Sequence, residues 1–127
     1  MSGKRYLLDT NAIIALLQGN QEVIQLLQDS EWIGISIISQ LEFLSFSGLT
    51  ESDHQLFAQL LQQLEVVGLS PDHISLLQLV VELRQKYRLP LPDAIITASA
   101  IQSNASLVTA DQQLQKLQNI AITRFSP

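Results

Sequence analysis

Four acidic side chains stand where the pattern of the chain changes: Asp9 in "LLDTN", Glu42 in "SQLE", Asp93 in "LPLPDAIITASA" and Asp111 in "TADQQL". Asp9 and Asp111 each follow a short apolar run that reads as a strand, whereas Glu42 and Asp93 stand in the first turn of expected helices. Carboxylates that converge repel one another, and like charges sharing a site cannot all stay ionised unaided. A hard divalent cation resolves the conflict, because Mg²⁺ and Mn²⁺ take oxygen ligands. Such a site suits metal-assisted hydrolysis of a phosphodiester, which needs no histidine. His54 and His73 lie near expected helix starts, away from the acids, and read as surface residues.

Each acid also has a plainer role. "SQLE" is a capping box, in which Ser39 accepts a backbone N–H and Glu42 reaches back to the start of the helix. An acid between strand and helix often just caps the helix, but Thr10 and Asn11 are available for that, leaving Asp9 free. Asp93 can be the N-cap of its helix and gain from the macrodipole. That helix, however, is apolar nearly all round, and a half-buried acid at its tip is unusual. Asp111 can cap a short helix, as can Thr109. What argues for chemistry is the set: the elements below bring at least three of these acids to one edge of one sheet.

The elements follow from local signals. A buried strand over 6–8 ends at Asp9, and a helix carrying Ile13, Ile14, Leu16 and Leu17 runs to Gly19-Asn20. A second short helix covers 22–28, "WIGISII" reads as a strand over 32–38, and Ser39 starts a helix to about 46. Ser52-Asp53 opens an amphipathic helix with Leu56, Phe57, Leu60, Leu61 and Leu64 on one side. "EVVGLS" is strand-like, and Ser70-Pro71 starts a helix to about 87, because proline suits the first helical position. The Asp93 helix ends near 103–104, followed by a strand over 106–110, a short helix holding Leu114 and Leu117, and a last strand in "IAITRF". Strands alternating with helices imply a parallel sheet covered on both faces, with ligands collecting beyond the carboxyl ends of the strands.

Composition sets the bounds. The 127 residues suit one domain, and 46% hydrophobic with 15% charged residues supports a sizeable core. There is no cysteine, which excludes a disulfide framework, a thiolate metal site and a cysteine nucleophile, and is compatible with the cytosol. No apolar run approaches the roughly 20 residues of a membrane span, so a soluble, cytoplasmic protein is expected. A net charge of −5 argues against phosphate binding by basic residues, although metal-binding carboxylates contribute to that charge.

"LLDTNAIIALL", the glutamate of "IISQLEFL", "YRLPLPDAIITASAI" and "SLVTADQQL" together resemble the motifs of the PIN-domain family, most closely its VapC-like ribonuclease toxins. The resemblance runs over essentially the whole chain, and the "LPDAIITASA" block is its most specific part. It implies a three-layer α/β/α sandwich with a central parallel sheet, formed by 1–127 as one nuclease domain. Asp9, Glu42, Asp93 and Asp111 take the acidic positions that hold Mg²⁺ or Mn²⁺, with Glu42 ligating the metal or helping to deprotonate water. Asn11 and Thr109 match polar residues that support those acids.

The resemblance further implies an RNA substrate cut to 5′-phosphate and 3′-hydroxyl ends, a homodimer and a cognate antitoxin. Arg84, Lys86, Arg88 and Lys116 are the expected phosphate contacts, and Ile13, Leu17, Ile24 and Leu27 the expected partner surface. A receiver domain needs an acidic pair after the first strand, and a haloacid-dehalogenase-type phosphatase needs a second aspartate where Asn11 stands. The remaining alternative is a catalytically silent module of the same fold.

Overall fold

The computed structural model describes residues 3–127. Its elements run β1 (Lys4–Leu8), α1 (Thr10–Leu17), α2 (Gln21–Gln28), β2 (Ser30–Ser36), α3 (Ile37–Leu44), α4 (Glu51–Leu61) and β3 (Glu65–Val67). They continue with α5 (Ile74–Tyr87), α6 (Leu91–Gln102), β4 (Ser106–Thr109), α7 (Gln112–Gln115) and β5 (Ile122–Arg124). The five strands form one sheet in the order β3-β2-β1-β4-β5, and every pairing is parallel. From β1 the chain first builds outward through β2 and β3, then returns to build β4 and β5 on the other side. The order therefore reverses between β1 and β4, and the carboxyl ends of those two strands flank the crevice where such sheets bind ligands.

Side-chain alternation along β1 divides the core. Leu7 enters one apolar cluster with Leu76, Val80 and Leu83 of α5, and with Ala94, Ile96 and Ala98 of α6. Tyr6 and Leu8 enter the other, with Ala12, Ile13, Val23, Phe43 and Phe57 from α1 to α4. This period of two puts helices on both faces and makes the three-layer α/β/α sandwich. Helix α6 is buried from Ala94 to Ala100, so its apolar residues face all round. Its Ser99 satisfies its own hydroxyl by donating to the Ile95 carbonyl at 2.8 Å.

The starts of α3 and α5 differ most from expectation. The strand expected over 32–38 ends at Ser36, whose Oγ accepts from the Ile38 N–H at 3.1 Å and caps α3. Ile37 and Ile38 look like strand because they are β-branched, but the cap turns them into helix. Ser39 is then inside the helix, buried, with no hydrogen-bond partner for its hydroxyl among the described residues. No capping box forms with Glu42, which lies in the second turn. The helix expected from Ser70-Pro71 begins only at Ile74. Ser70 instead closes a turn, its Oγ accepting from Asp72 N–H at 3.2 Å and its carbonyl from His73 N–H at 3.0 Å.

The expected partner surface also shifts. Ile13 is fully buried, Leu17 and Leu27 are partly buried against the core and Ile24 is partly exposed, so these four do not form one free apolar face, although Leu17 also lines a groove beside α4. Their stripe faces the sheet because α1 must cover β1. Exposed apolar side chains include Leu41, Leu44 and Phe46, on α3 and just beyond it, and Leu56 on α4, besides Leu69, Ile74, Val81 and Leu91 elsewhere.

Candidate metal centre

Asp9 is the first residue after β1, and its backbone N–H still pairs with the Val108 carbonyl of β4 at 3.1 Å. It is thus the last extended residue (φ −75°, ψ 177°) before α1, and so it is the N-cap, ahead of Thr10 and Asn11. Its Oδ1 accepts from the Ala12 N–H at 2.8 Å. Asp111 repeats the device two residues beyond β4. It caps α7 with Oδ1 accepting from the Gln113 and Leu114 N–H groups at 2.8 and 3.2 Å, while its own N–H is held by Thr109 Oγ1 at 3.0 Å. The expectation that Asp9 is free of capping is therefore corrected: strand pairing decides which residue is last extended, and that residue caps.

Asp93 is not a cap. Pro90 occupies the N-cap position of α6, Pro92 lies in its first turn, and Asp93 is the third helical residue. Among the described residues no protein group donates a hydrogen bond to its half-buried carboxylate. Glu42 is reached from α1, where Thr10 Oγ1 donates to Glu42 Oε1 at 2.5 Å.

These four acids, from four separate stretches of chain, line one cavity of about 550 Å³ at the switch point of the sheet. Its other walls include Ile38, Leu41, Phe46, Ile96 and Leu114, and among the described residues no lysine or arginine lines it. Burial and unrelieved charge both act on these carboxyls. Burial raises the Asp9 carboxyl to about 6, against hydrogen bonds from the Thr109 hydroxyl and the Ala12 N–H and with the charges of Asp111 and Asp93. Asp93 is also raised, first by burial and then by Asp111 and Glu42. Among the described residues the ion pair is Arg5–Glu31 at 3.7 Å, and neither partner lines this cavity.

The donor set is all oxygen, the chemistry that Mg²⁺ and Mn²⁺ prefer. The acids share the cavity without closing on one point: among the described residues no three His, Cys, Asp or Glu side chains come close enough to hold one ion. In donor type and charge the residues fit a divalent cation, and the cavity leaves room for waters to complete its shell.

The supporting residues divide. Thr109 is fully buried and bonds to both Asp9 and the Asp111 backbone. Asn11 lines the cavity, but among the described residues no hydrogen bond joins it to Asp9. None of the four expected phosphate contacts lines the cavity. Arg84 Nε donates to the Leu89 carbonyl at 3.3 Å, Lys86 lies over the Tyr87 ring at 5.3 Å, Arg88 closes α5 in a left-handed conformation and Lys116 closes α7. His54 and His73 are exposed, as expected. Thr10 is the residue the sequence does not flag: a threonine next to an acid reads as a cap, and nothing local shows that its hydroxyl reaches Glu42.

A parallel sheet between two helical layers, with acids gathered at its switch point, defines a small α/β/α domain with an acidic cleft where such sheets bind ligands. The chain belongs to the PIN-domain family, whose model matches residues 6–120. Among solved structures, VapBC2 from Rickettsia felis bound to a promoter DNA fragment shares 25% identity, with a TM-score of 0.76 over 96% of this chain and 99% of that one. A toxin–antitoxin complex from Klebsiella pneumoniae shares 30% identity, with a TM-score of 0.74 over 89% and 92%. DNA-bound VapBC from Salmonella typhimurium, at 21% identity, a TM-score of 0.69 and coverage of 95% and 98%, shows the same fold. No curated protein matches the chain significantly. Among the described residues no helix is long and apolar enough to cross a membrane.

Proposed function

We propose that this protein is a Mg²⁺- or Mn²⁺-dependent endoribonuclease, the toxin of a toxin–antitoxin pair, with 1–127 as its nuclease domain. The observation that carries the reading is the meeting of Asp9, Glu42, Asp93 and Asp111 in one cavity that, among the described residues, no basic side chain lines. Those four side chains would hold the ion, some of them through water, since among the described residues no three come close enough to bind it together. When bound, it supplies the positive charge that relieves the acids and stabilises the charge developing on a phosphodiester during hydrolysis.

The chain's own groups do the rest. Asp9 and Asp111 are each anchored through Oδ1 to the first turn of a helix, so their positions are set by backbone. Asp93 keeps its carboxylate free of protein donors at the N-terminal end of α6, where the helix dipole favours negative charge. Glu42, steadied through Oε1, takes the proton from the attacking water. Ile38, Leu41 and Phe46 wall the cavity and lower its polarity, which strengthens every charge interaction inside it. Arg84, Lys86, Arg88 and Lys116 lie outside the cavity and take phosphates further along the RNA.

A narrower apolar groove of about 240 Å³ adjoins the acidic cavity through Phe46 and is lined by Ile14, Leu17, Phe43 and Leu56. It is where the antitoxin would seat an apolar helix, laying a basic side chain among the acids. The relatives from Rickettsia felis and Klebsiella pneumoniae, solved as toxin–antitoxin complexes, support the pairing. The homodimer is part of the same reading.

The test is cleavage of RNA by the purified chain with Mn²⁺ and with chelator, beside induction of growth arrest in cells. Cleavage and arrest that both disappear with Asp93→Asn support the reading. Equal growth with either form, and no metal-dependent cleavage, favours the silent binding module.

A further inference from the structure

Thr10 carries a hydroxyl that the helix it opens does not need. Asp9 already caps α1 through the Ala12 N–H. The Thr10 Oγ1 leaves its own helix and donates to Glu42 Oε1 at 2.5 Å, across 32 residues of chain. That distance suits a hydroxyl donating to a carboxylate. Both side chains line the acidic cavity. The bond leaves Glu42 Oε2 without a protein donor among the described residues.

Glutamate has three side-chain torsions, and Glu42 is only half-buried, so packing alone does not fix where its carboxylate sits. The tether removes that freedom and attaches Glu42 to the turn that also fixes Asp9. A neutral donor does this without cancelling the charge a cation needs, which a lysine or arginine in the same place would do.

We propose that Thr10 is a positioning residue, whose hydroxyl holds the Glu42 carboxylate in register with Asp9 so that both face one divalent cation. This rests on the metal-binding part of the reading above and not on its RNA part. If the bond served only to pin α1 to α3, its loss would lower stability and leave cation affinity alone.

The experiment uses the full chain and Mn²⁺ alone as the probe, with affinity read by calorimetry and metal-free stability by thermal melting. Thr10→Val, which keeps the shape and removes the hydroxyl, should weaken Mn²⁺ binding about tenfold, the scale of outer-shell partners. Thr10→Ser should restore it to within about twofold, because it keeps the donor. In a Glu42→Ala background the valine substitution should add no further loss, since it acts through Glu42. RNA cleavage should show kcat falling with affinity while KM stays put. Thr10→Ala serves the same comparison if the valine form does not fold. Wild-type Mn²⁺ affinity in Thr10→Val overturns the proposal, as does a full additional loss in the Glu42→Ala background, or a wild-type chain that binds no Mn²⁺. Coupled loss of Mn²⁺ binding in a chain that cleaves no RNA upholds this role for Thr10 and removes the nuclease reading instead.

Discussion

Asp53 and Asp93 are the same residue at the same position of two helices, the third, and they titrate in opposite directions. In α4 the N-cap is Thr50, and a complete capping box forms: Asp53 N–H donates to Thr50 Oγ1 at 3.1 Å, and Thr50 N–H to Asp53 Oδ2 at 2.9 Å. The backbone hydrogen bond from Thr50 holds the Asp53 carboxyl below its ordinary value. In α6 the N-cap is Pro90, which has neither a hydroxyl to accept nor an N–H to donate. Asp93 is thereby denied the ordinary structural task of an acid in a first turn. Burial and the neighbouring acids Asp111 and Glu42 then push its carboxyl up. Asp53 spends its carboxylate on its own helix away from the other acids, whereas Asp93, free of protein donors among the described residues at the wall of the acidic cavity, is available to a cation.

The sharpest way to break this comparison is to neutralise both acids in turn. Asp93→Asn should lower Mn²⁺-dependent RNA cleavage by roughly a thousandfold, as expected when a group facing the reacting charge is lost. Asp53→Asn should leave cleavage unchanged. Matched cleavage rates for Asp93→Asn and wild type would remove Asp93 from the site.

Next in size is the cost of burying the Asp9 charge. Asp9 has its carboxyl raised from 3.8 to about 6, so its ionisation opposes folding. The sign follows from proton linkage. The folded chain holds the Asp9 proton more tightly than the unfolded chain, so stability falls as pH rises from about 4 to about 6. Asp9→Asn keeps an oxygen for the Ala12 cap and carries no charge. It should stabilise the metal-free protein by up to about 3 kcal/mol at pH 7.5 and by nothing at pH 3, read from denaturant melts at the two values. Destabilisation at pH 7.5 would show that the cap, and not the charge, dominates at Asp9.

A subtler substitution makes α6 resemble α4. Pro90→Ser introduces both partners of a capping box and should draw Asp93 into it. Helix capping should raise stability by about 1 kcal/mol, while Mn²⁺ affinity drops about tenfold because the carboxylate is now engaged. Calorimetry and thermal melting check the two halves together, and a gain in stability with unchanged affinity would mean that the cap does not compete with the cation.

The smallest effect belongs to Asp53 itself. Its lowered carboxyl contributes stability above the unfolded value of 3.8, lost as pH falls through the folded one. Asp53→Asn should therefore lower the melting temperature slightly at pH 7 and not at pH 2.5.

Much of the site was legible from residue types and order. The short apolar run of β1, the all-round apolar α6 and the strand-to-acid junctions at Asp9 and Asp111 are local patterns, and the structure keeps them. The errors fall where a local signal competes with a distant one. Ser39 with Glu42 spells a capping box, yet the box is empty because Ser36 ends its strand first, where pairing with β3 stops at Val67. Ile13 looks like part of a free stripe, yet it is buried beside Leu8 and Val108. Pro71 looks like a helix start, yet Ser70 closes a turn around it. Thr10 gives no sign of its partner, because a hydroxyl reads the same in sequence whether it bonds to its own helix or to an acid 32 residues away.

The amino-acid order by itself determined that strands and helices alternate, that they form a parallel sheet covered on both faces, and that acids fall at strand ends and helix starts. Those outcomes depend on periodicity and on hydrophobic burial, which act over a few neighbouring residues. Only the tertiary structure decided that Asp9, Glu42, Asp93 and Asp111 share one cavity, that no lysine or arginine among the described residues lines it, and which acids are held by backbone or by Thr10. Those outcomes depend on where the strand order reverses and on which extended residue comes last, and both are set by pairing between segments far apart in the chain.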